Sequence, residues 1–278
     1  MKRELLQYSI NPYHGFRVLK FLHDERKMHP LFLRNFGTMV FCGAQGEGKT
    51  LSAVQYVLHL LENRRRCILV TNIAIKGRPF NAYLKQHESG NFYLHSKYDN
   101  RIITTDAIKL NALSPDFKPI TVEYTGLDML KNVNNSAYGV IFLIDEIHLE
   151  LNSLESKNID IEVMVEISQQ RKQRKHIVGT SQVFMRMAKP LREQIHDIII
   201  CKNYFKILQY NKWILGETVQ EENGKIKAQC KGRFLWFHQP EYYNVYDTYA
   251  KMKRYNKEWQ GRKRVENIYG GVANNEHF

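Results

Sequence analysis

Residues 43–50, Gly43-Ala44-Gln45-Gly46-Glu47-Gly48-Lys49-Thr50, constrain this chain more than any other segment. They fit the pattern G-x-x-x-x-G-K-[ST], which carries its own mechanism. Glycines let successive backbone N–H groups turn inward around a phosphate where a Cβ would clash. The lysine reaches the outer phosphates of a nucleoside triphosphate, and the hydroxyl after it ligates Mg2+. Such a loop needs a strand before it and a helix after it, and both are legible. Phe36-Gly37-Thr38-Met39-Val40-Phe41-Cys42 is an apolar run of strand length, and Leu51, Val54, Val57, Leu58 and Leu61 follow the helical period over roughly 49–63. Arg64-Arg65-Arg66 closes that helix with the charge a helix C-terminus favours. The expected nucleotide contacts are therefore Gly43, Ala44, Gln45, Gly46, Glu47, Gly48, Lys49, Thr50 and Leu51. Lys49 belongs on the β- and γ-phosphates and Thr50 on the metal ion.

A second segment supplies the acids this chemistry requires. Tyr138-Gly139-Val140-Ile141-Phe142-Leu143-Ile144-Asp145-Glu146 is an uninterrupted apolar run ending in two carboxylates, as a central parallel strand buried on both faces would read. Asp145 is placed to hold Mg2+ and Glu146 to polarise an attacking water. Ligands of open parallel sheets lie beyond the carboxyl ends of the strands, where both motifs fall. Gln182 ends a further strand, Lys175–Gln182, expected beside that of Asp145, where it can sense the γ-phosphate or orient the water; a hydrogen-bonded strand terminus is the plainer alternative. Just before that strand, Gln169–Lys175 is basic, and Arg171 or Arg174 is a candidate to reach a neighbouring subunit's γ-phosphate, against the alternative of a solvated helix end. His148 is read as structural.

Strand and helix patterns alternate from 36 to 202, which argues for an α/β fold with a mainly parallel sheet. A helix is expected over roughly 159–174 and strands at Cys67–Asn72 and Ile198–Cys201; short strands at Ile102-Ile103 and Ile120–Val122 and helical turns over 126–133 lie in a less legible stretch. From 203 the pattern turns antiparallel: Tyr204–Tyr210, Trp213–Val219 and Phe234–Phe237 read as strands, with a hairpin signal at Asn223-Gly224. Residues 1–35 read as an N-terminal arm with short helical pieces, 36–202 as the core, 203–248 as a β-rich extension, and 249–278 as a basic helix followed by a loose tail.

The chain carries 41 Lys and Arg against 28 Asp and Glu, a formal net charge of +13, and this excess favours an anionic partner, nucleic acid first. Cys42, Cys67, Cys201 and Cys230 form no C-x-x-C pair and read as thiols in a reducing compartment, neither a disulfide frame nor a metal site. The N-terminus lacks a secretory h-region, and no run approaches the ~18 apolar residues of a membrane span.

Taken in order, Gly43–Thr50, Val70-Thr71-Asn72-Ile73, Ile144-Asp145-Glu146-Ile147-His148 and the basic helix followed by Gly179-Thr180-Ser181-Gln182 resemble the FtsK/HerA-type P-loop ATPases. Within them the similarity is to the zonular-occludens-toxin-like and viral genome-packaging ATPases, over roughly residues 35–250, and Tyr246-Asp247-Thr248 also looks like an element of such proteins. The resemblance implies a RecA-like core, binding of ATP and Mg2+, a ring-forming homo-oligomer, and movement of DNA or export of a nucleoprotein. It supports Lys49 and Thr50 on phosphate and metal, Asp145 and Glu146 in metal binding and catalysis, and Gln182 as sensor. Filamentous-phage members of the toxin-like branch usually carry a transmembrane segment after the ATPase domain, and this chain shows none. The expectation is a DNA-translocating, genome-packaging ATPase in the host cytoplasm or with the virion, with capsid or portal-vertex proteins as further partners. The alternatives are an assembly or secretion ATPase and a nucleotide-dependent scaffold of capsid assembly.

Overall fold

A strand with no polar residue on either face has to be covered from both sides, and Val140–Ile144 is, with all five residues buried. The computed structural model describes residues 12–246 except 31, 36, 63, 107, 109–117, 150–160, 183, 185–186, 188–191 and 223–224. The chain divides into two units, residues 1–32 and 33–278. In the first, α1 (Pro12–Met28) is one helix of 17 residues, where the sequence reading expects short helical pieces. Phe16, Leu19 and Phe21 on it are exposed.

The second unit is built on an eleven-stranded sheet among the described residues. Its centre holds β1 (Gly37–Cys42), β2 (Ile68–Thr71), β3 (Ala82–Gln86), β6 (Thr121–Glu123), β7 (Val140–Ile144), β8 (Lys175–Ser181) and β9 (Ile195–Tyr204). They lie in the order β9-β1-β8-β7-β2-β6-β3, and every neighbouring pair is parallel. Antiparallel strands flank this centre on both sides. Beyond β3 come β4 (Phe92–Ser96) and β5 (Ile102–Ile103), and beyond β9 come β10 (Leu208–Leu215) and β13 (Cys230–Phe237). The fold is α/β, with a mainly parallel sheet and antiparallel additions.

Alternation along the central strands sends side chains to two cores. On one face Val40, Val70, Phe142, Ile144 and Ile177 pack with Leu130 of α3 (Asp128–Asn132) and Val163 and Ile167 of α4 (Ile161–Gln173). On the other, Met39, Phe41, Leu69, Ile141, Leu143 and Val178 meet Ala53, Val54, Val57 and Leu61 of α2 (Lys49–Glu62). Cys42, Cys67 and Cys201 are buried thiols and Cys230 is an exposed one. His176 is a buried polar group that is paired on both sides. His176 lies between the Tyr56 hydroxyl (3.0 Å) and the Gly37 carbonyl (2.9 Å), and burial pushes its pKa down to about 4, so the ring is neutral at pH 7.

Several boundaries differ from the sequence reading. β9 starts at Ile195 and runs to Tyr204, and the turn falls at 205–207, inside the expected strand Tyr204–Tyr210. No Gly, Pro or Asn marks that turn; Phe205 and Lys206 adopt φ +56° and +60° instead. The β3–β4 hairpin has no counterpart in the sequence reading, because its strands mix buried Ala82, Leu94 and His95 with exposed Tyr83, Lys85, Gln86 and Phe92 and show no clear apolar alternation. Asn223 and Gly224 lie outside the described residues, but β11 (Gln220–Glu222) and β12 (Lys225–Lys227) pair antiparallel on either side of them. The basic segment 249–266, and Asp247 and Thr248, also lie outside the described residues. No helix among those described is long and apolar enough to cross a membrane.

Phe142 is wholly buried in the strand that carries the two acids. Phe142→Ala should lower unfolding free energy by about 3–5 kcal/mol, from lost transfer and a residual cavity, read as a lower urea midpoint at unchanged slope.

Candidate nucleotide-binding site

All parallel strands end on the same side of the sheet, so the loop after β1 and the acids after β7 face a common space. In register, Cys42 lies beside Ser181, and Gly179 beside Ile144. β8 therefore sits between the glycine loop and the acids.

The loop 43–48 connects β1 to the first turn of α2, with Ala44, Gln45 and Gly46 exposed at its tip. Two constraints meet at Gly48. Its φ is +73°, and a Cβ there would lie 2.1 Å from Gln209 Oε1. Lys49 is buried, and its ammonium donates to the Ala44 carbonyl at 2.9 Å, folding back over the loop that it serves. The neighbouring strands hold the loop from outside. The Asn203 N–H donates to the Glu47 carboxylate at 2.6 Å, and the Gln209 amide donates to the Glu47 carbonyl at 3.0 Å. Gln209 continues to Asn211 (3.0 Å), and Asn211 to Ser52 on α2 (3.2 Å), all three buried. His238 Nε2 lies 3.1 Å from Gln209 Oε1, and partial burial lowers its pKa, which favours the neutral ring.

The Thr50 hydroxyl donates to Asp145 Oδ1 at 2.9 Å, joining the glycine loop to the acid strand. The Thr180 hydroxyl donates to the same oxygen at 2.7 Å and accepts from the Glu146 N–H at 2.9 Å. From the other flank, Asn72 clamps the Asp145 main chain twice: its amide donates to the Asp145 carbonyl at 3.1 Å, and its oxygen accepts from the Asp145 N–H at 2.8 Å. Glu146 follows with φ +54°, a left-handed conformation that non-glycine residues seldom take and that costs roughly 1–3 kcal/mol. The turn brings its carboxylate to Gln182, whose amide donates to Oε1 at 3.2 Å, while His148 Nδ1 lies 3.2 Å from Oε2.

The structure thus gathers Gly43–Thr50, Asp145, Glu146 and Gln182 at one end of the sheet. It does not bring Arg174 there. That residue precedes β8, at the end of the strand remote from the loop, and its guanidinium donates to the Leu33 carbonyl at 3.0 Å. Arg171 lies on α4, and its side chain is outside the described residues. Sequence reasoning gave no role to Asn72 or Thr180, although both stand in the quoted strand ends. A polar residue closing the strand on either side of an Asp-Glu strand is the signal that could have found them. Gln209 and Asn203 carry no local signal, since only the pairing of β9 with β10 brings them to the loop.

The donor set suits a Mg-nucleoside triphosphate. A hydroxyl and a carboxylate in mutual contact are hard oxygen donors of the kind Mg2+ takes, and a buried ammonium at the head of a helix complements phosphate. Thr50 and Asp145 would hold the metal ion, and the loop amides with Lys49 the phosphates.

No protein-family model matches the chain, and no curated protein matches it in sequence. Among solved structures, the N-terminal domain of zonular occludens toxin from Neisseria meningitidis aligns over 76% of this chain and 98% of its own, at 18% identity and a TM-score of 0.43. The genome packaging NTPase B204 from Sulfolobus turreted icosahedral virus 2, in complex with AMPPCP, aligns over 60% and 75%, at 11% identity and a TM-score of 0.39. The flagellar accessory protein FlaH from Methanocaldococcus jannaschii aligns over 69% and 89%, at 13% identity and a TM-score of 0.35. At these values the likeness assigns no residue a role.

Thr180→Val keeps the shape of the side chain but leaves the Glu146 N–H and the Asp145 carboxylate each short of a partner. It should destabilise the fold by about 1–3 kcal/mol in urea unfolding, with the far-ultraviolet circular dichroism spectrum unchanged.

Proposed function

We propose that this chain is a Mg2+-dependent ATPase whose turnover drives DNA through a homo-oligomeric ring, serving genome packaging of a virus or mobile element. One observation carries the enzymatic part: Thr50 and Asp145 touch across the width of β8, with Glu146 and Gln182 directly alongside. Bound ATP supplies the phosphoanhydride, and Mg2+ neutralises charge on its oxygens.

The chain's own residues then have separable tasks. Backbone amides of Gly43–Thr50 and the start of α2 orient the phosphates. Lys49 exchanges the Ala44 carbonyl for a phosphate oxygen, which is a better partner for an ammonium. Glu146 accepts a proton from the attacking water, and Gln182, whose amide holds the Glu146 carboxylate, serves as the γ-phosphate sensor. Charge developing on the transferred group calls for a further cation, and we assign it to Arg171 or Arg174 of a neighbouring subunit. DNA as the cargo is supported by the net charge of +13, because sequence-independent phosphate contacts suit a motor.

ATP hydrolysis is measured with no nucleic acid, with single strands and with duplex. Wild-type turnover should rise with DNA, and the rise should fade with salt. Lys49→Ala should lose nucleotide binding, whereas Glu146→Gln should bind ATP and hydrolyse it about 10²–10⁴-fold more slowly. Robust hydrolysis that ignores both forms of DNA at every salt concentration would remove the translocase reading and leave the ATPase.

A further inference from the structure

The edge of the sheet beyond β1 carries side chains that nucleotide chemistry does not use. In the register of β9, β10 and β13, residues directly opposite one another share a face. One face presents three rows: Tyr204–Leu208–Phe237, Lys202–Tyr210–Leu235 and Ile200–Lys212–Arg233. The other face carries Asn203, Gln209, Cys201 and Asn211 with Trp236 and Phe234, and its Gln209 and Asn211 contact the glycine loop and α2.

The three rows are open towards the nucleotide end of the sheet. Tyr204 is 42% exposed, Leu235 65% and Phe237 69%. Lys202 and Arg233 are exposed, and Tyr210 and Lys212 are half-buried. No acid stands in these rows. Asp197 of β9 belongs to the opposite face, where it accepts from Trp213 (2.5 Å) and Lys231 (3.2 Å). The hairpin tip adds Phe205, 87% exposed, and Lys206, both in left-handed conformations that strain a non-glycine residue.

Apolar side chains that stay this exposed need a partner with apolar faces, and cations without counter-charges need one with anions. Single-stranded nucleic acid has both, as unstacked bases and phosphates, and aromatic platforms set among cations bind it whatever its sequence. A duplex keeps its bases inside the stack and offers these rings no surface. We propose that this face of β9, β10 and β13 is a binding site for single-stranded nucleic acid, with Tyr204, Tyr210 and Phe237 stacking on bases and Lys202, Lys212 and Arg233 meeting phosphates. The proposal rests on the motor reading and gives it a substrate form and a surface. It also gives a route to the nucleotide site, since Asn203, between Lys202 and Tyr204, donates its N–H to Glu47 in the glycine loop.

The test is fluorescence anisotropy of a labelled oligothymidine across a salt series, with circular dichroism and DNA-free ATPase as checks of the fold. Replacing Lys202, Lys212 and Arg233 together by Ala should weaken binding and lower the slope of log affinity against log salt by about 2, given roughly 0.7 per phosphate neutralised on a single strand. Tyr204→Ala and Phe237→Ala should each weaken binding by about 5- to 150-fold without changing the slope, and Tyr204→Phe should restore it. If the wild type binds the oligonucleotide and both variant sets bind it equally well, the face is not the site, although the motor reading stands. If only duplex binds or stimulates ATP hydrolysis, the single-strand assignment falls alone; if neither nucleic acid binds or stimulates, both fall. Should the variants dissociate an oligomer in sedimentation while keeping their affinity, the face joins subunits and the proposal is wrong.

Discussion

A carboxylate at the end of a buried strand is costly without hydrogen-bond donors, and Asp145 Oδ1 receives hydroxyls from two directions. Thr50 belongs to the helix after the glycine loop and Thr180 to the strand between the loop and the acid. One oxygen therefore fixes the relation of three elements. Asn72 completes the arrangement by holding the Asp145 main chain through both of its hydrogen-bonding groups. The direction of the carboxylate is thus set by the fold, and little would remain to be ordered on binding of the proposed metal ion. Preorganisation of this kind is what lets electrostatic stabilisation act without a reorganisation cost.

Glu146 contrasts with its neighbour. Its main chain is in a left-handed conformation, and its carboxylate lies against one amide and one imidazole, Gln182 and His148. Under the proposed roles, an acid that holds a metal would benefit from rigidity, and an acid that takes up a proton from partners that can adjust. The tight turn is the means by which two consecutive residues are given such different surroundings.

The residues gathered at the candidate site were more legible in the sequence than the edges of the fold. Apolar runs at Val140–Ile144 and Met39–Cys42 are diagnostic because a strand covered on both faces has no freedom to carry polar residues. The glycine loop was legible because so few residue types permit its backbone, and Gln182 because Lys175–Ser181 is buried throughout. What stayed hidden depends on long-range pairing. Asn203 and Gln209 look like ordinary polar residues until β9 and β10 are set beside the loop. The turn at Phe205-Lys206 was missed because the residues that tolerate positive φ without strain are absent from it. His148, read as structural, is buried, and its ring lies against Glu146.

Glu47 is tethered through its carboxylate to β9 and through its carbonyl to Gln209 on β10. Hydrogen bonds to charged groups are worth about 1.5–3 kcal/mol, so the loop cannot flex cheaply while the hairpin is at rest. In the proposed ATPase, release of a spent nucleotide would draw on the same loop, and the stiffness of a β-hairpin would then enter the rate at which the site empties. The glycines give the loop its shape, and strands far along the chain determine how readily that shape is given up.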